Sequence, residues 1–205
     1  MRALFYAFPA AALLVAPAAA FAQQSDTLSS PGLREVHGSF NPSGRRGFWL
    51  TVGLGVGGES FNANDGLGWS DTKTGGVGYL KLGGTINPHF QLGAELQGWS
   101  TNYYWDNYDR SLGSLMGIVQ YYPSARGDFW IRGGFGYAHD RLRDYSTPGI
   151  VIISDEDGTA FAGGLGYDVR LSRRLFLTPS LDFMGQHYSD HDERLVTFGV
   201  GITFH

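Results

Sequence analysis

Phe48-Trp49-Leu50-Thr51-Val52-Gly53-Leu54-Gly55-Val56-Gly57 decides the fold. Phe48, Leu50, Val52, Leu54 and Val56 share one face; Trp49, Thr51, Gly53, Gly55 and Gly57 share the other. Strict alternation is the period of a β-strand, here with an apolar face backed by mostly tiny residues. Seven more strand-like runs follow, at 76–84, 90–98, 112–122, 128–138, 159–170, 174–186 and 195–204. Both faces of 112–122 are apolar, so alternation alone leaves its orientation open. Run lengths are close to the ~9–11 residues of a tilted transmembrane strand.

The connectors alternate. Those at 58–73, 100–110, 140–157 and 187–193 are long; those at 85–88, 123–127 and 171–173 are short. Eight up-and-down strands put every short turn at one end and every long loop at the other, the rhythm of outer-membrane barrels. The expected fold is therefore all-β, an eight-stranded antiparallel up-and-down transmembrane β-barrel over 47–205.

Alternation does not say which face points outward. A soluble lipocalin-like barrel carries its apolar face inside. Three features point the other way. The minor face is dominated by glycine, alanine, serine and threonine, which fit a narrow lumen. Its few charges have both signs: Lys81, Glu95, Arg132, Asp168, Arg170 and Asp182. Such charges can pair inside a barrel, where an unpaired one is costly. Aromatics gather near the run ends, at Phe48, Phe90, Phe129, Tyr137, Phe161 and Phe204, where interfacial girdles lie. The expected interior set is Lys81, Glu95, Arg132, Asp168 and Asp182, with Arg132–Asp168 as its best pair on adjacent strands.

The start of the chain has a different texture. Met1-Arg2, an apolar run from Ala3 to Ala19 and Ala20-Phe21-Ala22 make the pattern of a cleaved secretory signal peptide, residues 1–22. An anchored N-terminal helix is the alternative. Residues 23–46 are polar and without period, a flexible segment. With no cysteine, disulfides, thiolate zinc sites and a lipidated N-terminal cysteine are excluded. Against 19 acidic side chains the 15 basic ones lose Arg2 with the leader, so the mature chain has a formal charge of −5. That balance argues against nucleic acid, which wants a basic stripe.

Gly83-Gly84-Thr85-Ile86-Asn87-Pro88-His89-Phe90-Gln91-Leu92-Gly93-Ala94-Glu95 resembles the second hairpin of small outer-membrane barrels of the OmpA/OmpX/opacity type. Gly163-Gly164-Leu165-Gly166-Tyr167-Asp168 with 175–183 resembles their third hairpin. Gly199-Val200-Gly201-Ile202-Thr203-Phe204 resembles their C-terminal assembly signal, here followed by His205. The resemblance implies a monomer in the cell outer membrane, in contact with lipid and lipopolysaccharide. It implies assembly through the last strand, an extracellular ligand bound by the long loops, and a structural, adhesion or surface-interaction role. No peptidoglycan-binding domain is expected after the barrel. A small-solute pore is a further reading.

His187-Tyr188-Ser189 resembles the lipid A deacylase barrels of the PagL type, in which a lipid-facing His and Ser work with a Glu from the neighbouring strand; Glu193, on the next strand's side, is the candidate for that acid. Asp190 stands where that family has asparagine, and its Asn-Pro-Gly stretch is absent. His187, Ser189 and Glu193 are thus candidate catalytic residues for an alternative, enzymatic reading. Four weaker patterns remain. Gly163-Gly164-Leu165-Gly166 lies within a strand, so a nucleotide loop is not expected. His187 and His191 have metal-ligand spacing for a helix but sit in a loop. Asp155-Glu156-Asp157-Gly158 lacks the alternating ligands of a calcium loop. Tyr103-Tyr104-Trp105 and Tyr108 suit stacking on sugars or interfacial anchoring. No cofactor or metal is expected.

Overall fold

The computed structural model describes residues 45–63, 68–103, 108–144 and 151–205, with side chains 102, 103, 108 and 151 excepted. The leader, most of the polar segment and the aromatic cluster around Trp105 lie outside the described residues.

The strands are β1 (Phe48–Asn62), β2 (Lys73–Asn87), β3 (Phe90–Tyr103), β4 (Tyr108–Tyr121), β5 (Phe129–Asp144), β6 (Val151–Tyr167), β7 (Val169–Arg170), β8 (Leu175–His187) and β9 (Asp192–Phe204). β7 continues β6 past Asp168, and both pair with β8, so nine strands make eight staves. Each stave pairs antiparallel with the next, and β1 pairs with β9 from Leu50↔Phe204 to Asn62↔Asp192. The sheet is closed: an antiparallel eight-stave up-and-down barrel, in which closure removes every open edge.

The strands overrun the expected limits at the long-loop end. β5 and β6 stay paired from Phe129↔Tyr167 to Asp144↔Val151, so the 140–157 connector is largely ladder. Backbone hydrogen bonding does not stop where the apolar pattern stops; the ladder continues with polar side chains. Asp155-Glu156-Asp157 is accordingly strand, not loop tip. At the other end the turns are tight: Asn87 Oδ1 accepts from the backbone N–H groups of His89 (2.9 Å) and Phe90 (3.0 Å).

The large apolar residues outside are Leu54 (74 % exposed), Phe135 (67 %), Leu96, Leu115, Phe161 and Phe198, among others. Phe48, Phe90, Phe129, Tyr137, Phe161 and Phe204 are also exposed and outward. The orientation of β4 is settled: Leu112, Ser114, Met116, Ile118, Gln120 and the following Tyr122 are buried, while Leu115 and Val119 are exposed.

The interior is less uniformly polar than expected. Trp49, Trp99 and Trp130 are each 1 % exposed and point inward with Tyr79, Met116 and Ile118. The minor-face glycines make room for this bulk. A Cβ on Gly53 would lie 2.1 Å from the Tyr79 ring, and one on Gly166 would lie 2.3 Å from that of Trp130. Small residues therefore line the lumen where a large partner on the adjacent strand lies over them, Tyr79 beside Gly53 and Trp130 beside Gly166.

Candidate functional site

Three polar levels are stacked inside the barrel. The middle one holds Lys81, Glu95, Arg132 and Asp182, all buried. Arg132 Nε donates to Asp182 Oδ1 at 2.7 Å, and its Nη1 donates to Glu95 Oε2. Lys81 Nζ lies 3.7 Å from Glu95 Oε1 and 3.8 Å from Asp182 Oδ2. Ser180 Oγ donates to Asp182 at 3.1 Å. Lys81 and Glu95 are direct cross-strand partners on β2 and β3. Two cations and two anions thus neutralise one another where an uncompensated charge would be expensive.

The expected Arg132–Asp168 pair is not made. Arg132 faces Gly164, whereas Asp168 donates its backbone N–H to the Asp128 carbonyl. At ~3.3 Å per residue the two are ~13 Å apart along the ladder. Short turns do not set the relative level of β5 and β6, because their own connection is the long hairpin, and closure staggers the strands.

Asp168 instead organises the short-turn end. It accepts from Trp130 Nε1 (3.1 Å), Thr178 Oγ1 (3.0 Å) and Tyr122 Oη (2.8 Å). Arg45, expected in the flexible segment, is 1 % exposed. Its guanidinium stacks 3.8 Å from the Tyr122 ring centre and donates to the Gly127 carbonyl at 2.7 Å. Arg170, which has inward parity, is exposed at this rim and donates to the Ser172 carbonyl. Between the middle and lower levels, a space lined by Trp49, Tyr79, Lys81, Trp130 and Asp168 is about the size of one water molecule.

The third level lies at the long-loop mouth. Arg110 grips Asp140 through Nε to Oδ1 (3.2 Å) and Nη2 to Oδ2 (2.9 Å). It also reaches Glu59 Oε1 at 3.4 Å and bonds Glu193 Oε1. His191 completes the level. Its ring stacks on Tyr188 with centres 4.5 Å apart, and its Nδ1 is hydrogen-bonded to Asp190 Oδ1. Its Nε2 faces Asp140 Oδ2 and Glu193 Oε1, each at 3.6 Å. Burial alone lowers the pKa of His191, but the surrounding carboxylates, Glu193 and Asp190 foremost, outweigh it and push it up to about 9.

Most of this level is hidden in the sequence because 58–73, 100–110 and 140–157 read as loops. The signal was parity. Glu59 continues the face of Trp49 and Gly57, Arg110 that of Gln120, and Asp140 that of Trp130 and Arg132.

The catalytic candidates are not brought together. His187 is outside and exposed, with Nδ1 bonded to Asp192 Oδ1. Ser189 lies exposed in the β8–β9 turn. Glu193 is buried on the opposite side of the wall with Arg110. His187 and His191 are likewise on opposite sides, so they do not form a joint metal site. Asp155 and Asp157 face outward, bonded by Arg141 (3.0 Å) and His139 (2.9 Å).

Compared with protein-family models and with curated proteins, the chain matches none. Among solved structures it is similar to Ail, the attachment invasion locus protein of Yersinia pestis. The TM-score is 0.57 at 14 % identity, over 78 % of this chain and 99 % of that one. The same protein solved with the heparin analogue sucrose octasulfate gives the same score. Neisserial surface protein A is similar at a TM-score of 0.53 and 13 % identity, over 77 % of this chain and 96 % of that one. The fold is that of the small outer-membrane barrels. The identities show fold and nothing narrower, so function rests on the geometry of the chain itself.

Proposed function

We propose that this protein is an integral outer-membrane barrel with a structural, adhesion or surface-interaction role, its lumen closed to solutes. The observation that carries the reading is the inversion of the molecule. An apolar exterior surrounds a lumen occupied by buried tryptophans and a neutralised charge cluster. Such an exterior is stable against lipid tails and unstable in water. A filled lumen leaves the outer rim and loops as the surface for partners. The similarity to Ail, which was solved with a heparin analogue, supports that surface-interaction reading by analogy. Residues 1–22 act as the export signal, cleaved after Ala22. Lipid and lipopolysaccharide surround the belt, and β9 presents the signal to the assembly machinery.

Fractionation and whole-cell labelling test this. The protein should enter the outer-membrane fraction, migrate differently on gels with and without boiling, and start at Gln23. Ser189→Cys should react with an impermeant thiol reagent on whole cells, and Arg126→Cys should not. In planar bilayers, conductance should stay at the baseline. Recovery in the soluble fraction, or steady single-channel currents, would overturn the reading.

A further inference from the structure

We propose that the mouth of the barrel is a binding site for one divalent transition-metal ion of the zinc class, held by Asp140, His191 and Glu193. One ligand atom from each lies within 4.8 Å of the others. His191 Nε2 stands 3.6 Å from Asp140 Oδ2 and 3.6 Å from Glu193 Oε1. Donors around a tetrahedral zinc ion, bound at ~2.0–2.1 Å, are about 3.3 Å apart, so small side-chain shifts convert one arrangement into the other.

A cluster of acids would not be enough. The second observation is that two buried atoms have no hydrogen-bond partner here. His191, 5 % exposed, leaves Nε2 unbonded, and Glu193, 2 % exposed, leaves Oε2 unbonded. Unbonded atoms also occur elsewhere in the lumen, Glu95 Oε1 and Arg132 Nη2 among them; His191 Nε2 differs in that two carboxylate oxygens from β5 and β9 converge on it, each at 3.6 Å. The other ring nitrogen supplies a third observation. Asp190 holds Nδ1, with Glu156 Oε2 3.7 Å away, the carboxylate–histidine arrangement that orients a ligating imidazole. Charge agrees: Glu59, Asp140 and Glu193 face the guanidinium of Arg110 and the imidazole of His191, and a divalent ion that takes the place of the imidazole proton neutralises the level. One imidazole with two carboxylates favours zinc or its neighbours over the all-oxygen sites of calcium and magnesium. The ion would tie β5, β9 and the β8–β9 turn together at the rim, with an open coordination position for water or a donor from a surface ligand.

The test uses the full, untagged mature chain, folded in detergent and stripped by chelator. Zinc titration by calorimetry should give one saturable equivalent, and cobalt should give the intense visible absorption of a four-coordinate site. His191→Ala and Glu193→Gln should each weaken binding at least about 100-fold, and Asp190→Asn about 10-fold or more. His187→Ala, on the outer wall, should bind as the parent does. Heat-modifiable migration of each variant verifies that the barrel has formed. Absence of saturable zinc binding by the parent chain would overturn the proposal. So would parent-like binding by folded His191→Ala and Glu193→Gln.

Discussion

The middle and mouth levels of the lumen use the same side chains to different ends. In the middle, Lys81 and Arg132 oppose Glu95 and Asp182, and the charges balance, two against two, although Glu95 Oε1 and Arg132 Nη2 have no hydrogen-bond partner. At the mouth, the three carboxylates of Glu59, Asp140 and Glu193 share Arg110 and His191, and an excess of negative charge remains. The first arrangement has little use for another ion and the second has a place for one. A neutral level deep in a barrel works as a plug, whereas a level with surplus charge near water works as a receptor.

The largest effect should come from the plug. Arg132→Ala leaves Glu95 and Asp182 buried with only Lys81, and should lower the unfolding free energy by about 3–5 kcal/mol in urea titrations. A cycle of Arg132→Ala with Asp182→Ala should be strongly non-additive, while Arg132→Ala with Asp168→Ala should add within about 0.5 kcal/mol, as for separate sites. Coupling of Arg132 to Asp168 instead would put the register of β5 and β6 in error.

Arg110→Ala should cost less, about 1–3 kcal/mol, because its partners lie near the open end and water replaces part of the lost bonding. The comparison of the two levels fails if Arg110→Ala destabilises as much as Arg132→Ala under the same titration.

What was legible in the sequence follows from what alternation can encode. Phe48 to Gly57 alternates in one dimension, and the strand, its outward face and the inward parity of Lys81, Glu95, Arg132, Asp168 and Asp182 can all be read from it. Which interior residues meet cannot. Lys81 and Glu95 pair across neighbouring strands, but Arg132 reaches β3 on one side and β8 on the other, and those contacts depend on closure and stagger. The mouth was lost for another reason: the apolar face ends before the ladder does, so Glu59, Arg110 and Asp140 looked like loop residues. Arg45 carries no periodic signal; its place comes from stacking on Tyr122 and from bonds to Ala125, Gly127 and Asp128 in the turn before β5.

Glycine packing offers a smaller effect between the levels. Gly53→Val places atoms where the Tyr79 ring stands and should cost about 1–3 kcal/mol through overpacking. Adding Tyr79→Ala should recover part of that loss. If Gly53→Val alone leaves the unfolding midpoint unchanged, the lumen is looser than its buried tryptophans indicate.

The smallest effect belongs to the outer wall, and it bears on the enzymatic alternative. A general base acts on a hydroxyl only within about 2.6–3.2 Å, directly or through one water. His187 has its Nδ1 on Asp192, beyond which Ser189 lies in the turn. Glu193, the acid such a set would need, faces the lumen and is held by Arg110. The wall of the barrel therefore separates the acid from the histidine it would orient. His187→Ala and Ser189→Ala should accordingly leave both the unfolding midpoint and the lipid A acylation pattern, read by mass spectrometry, as in cells carrying the parent protein. Loss of an acyl-chain difference in either variant, where the parent produces one, would mean that the β8–β9 turn rearranges in the membrane to bring these groups together.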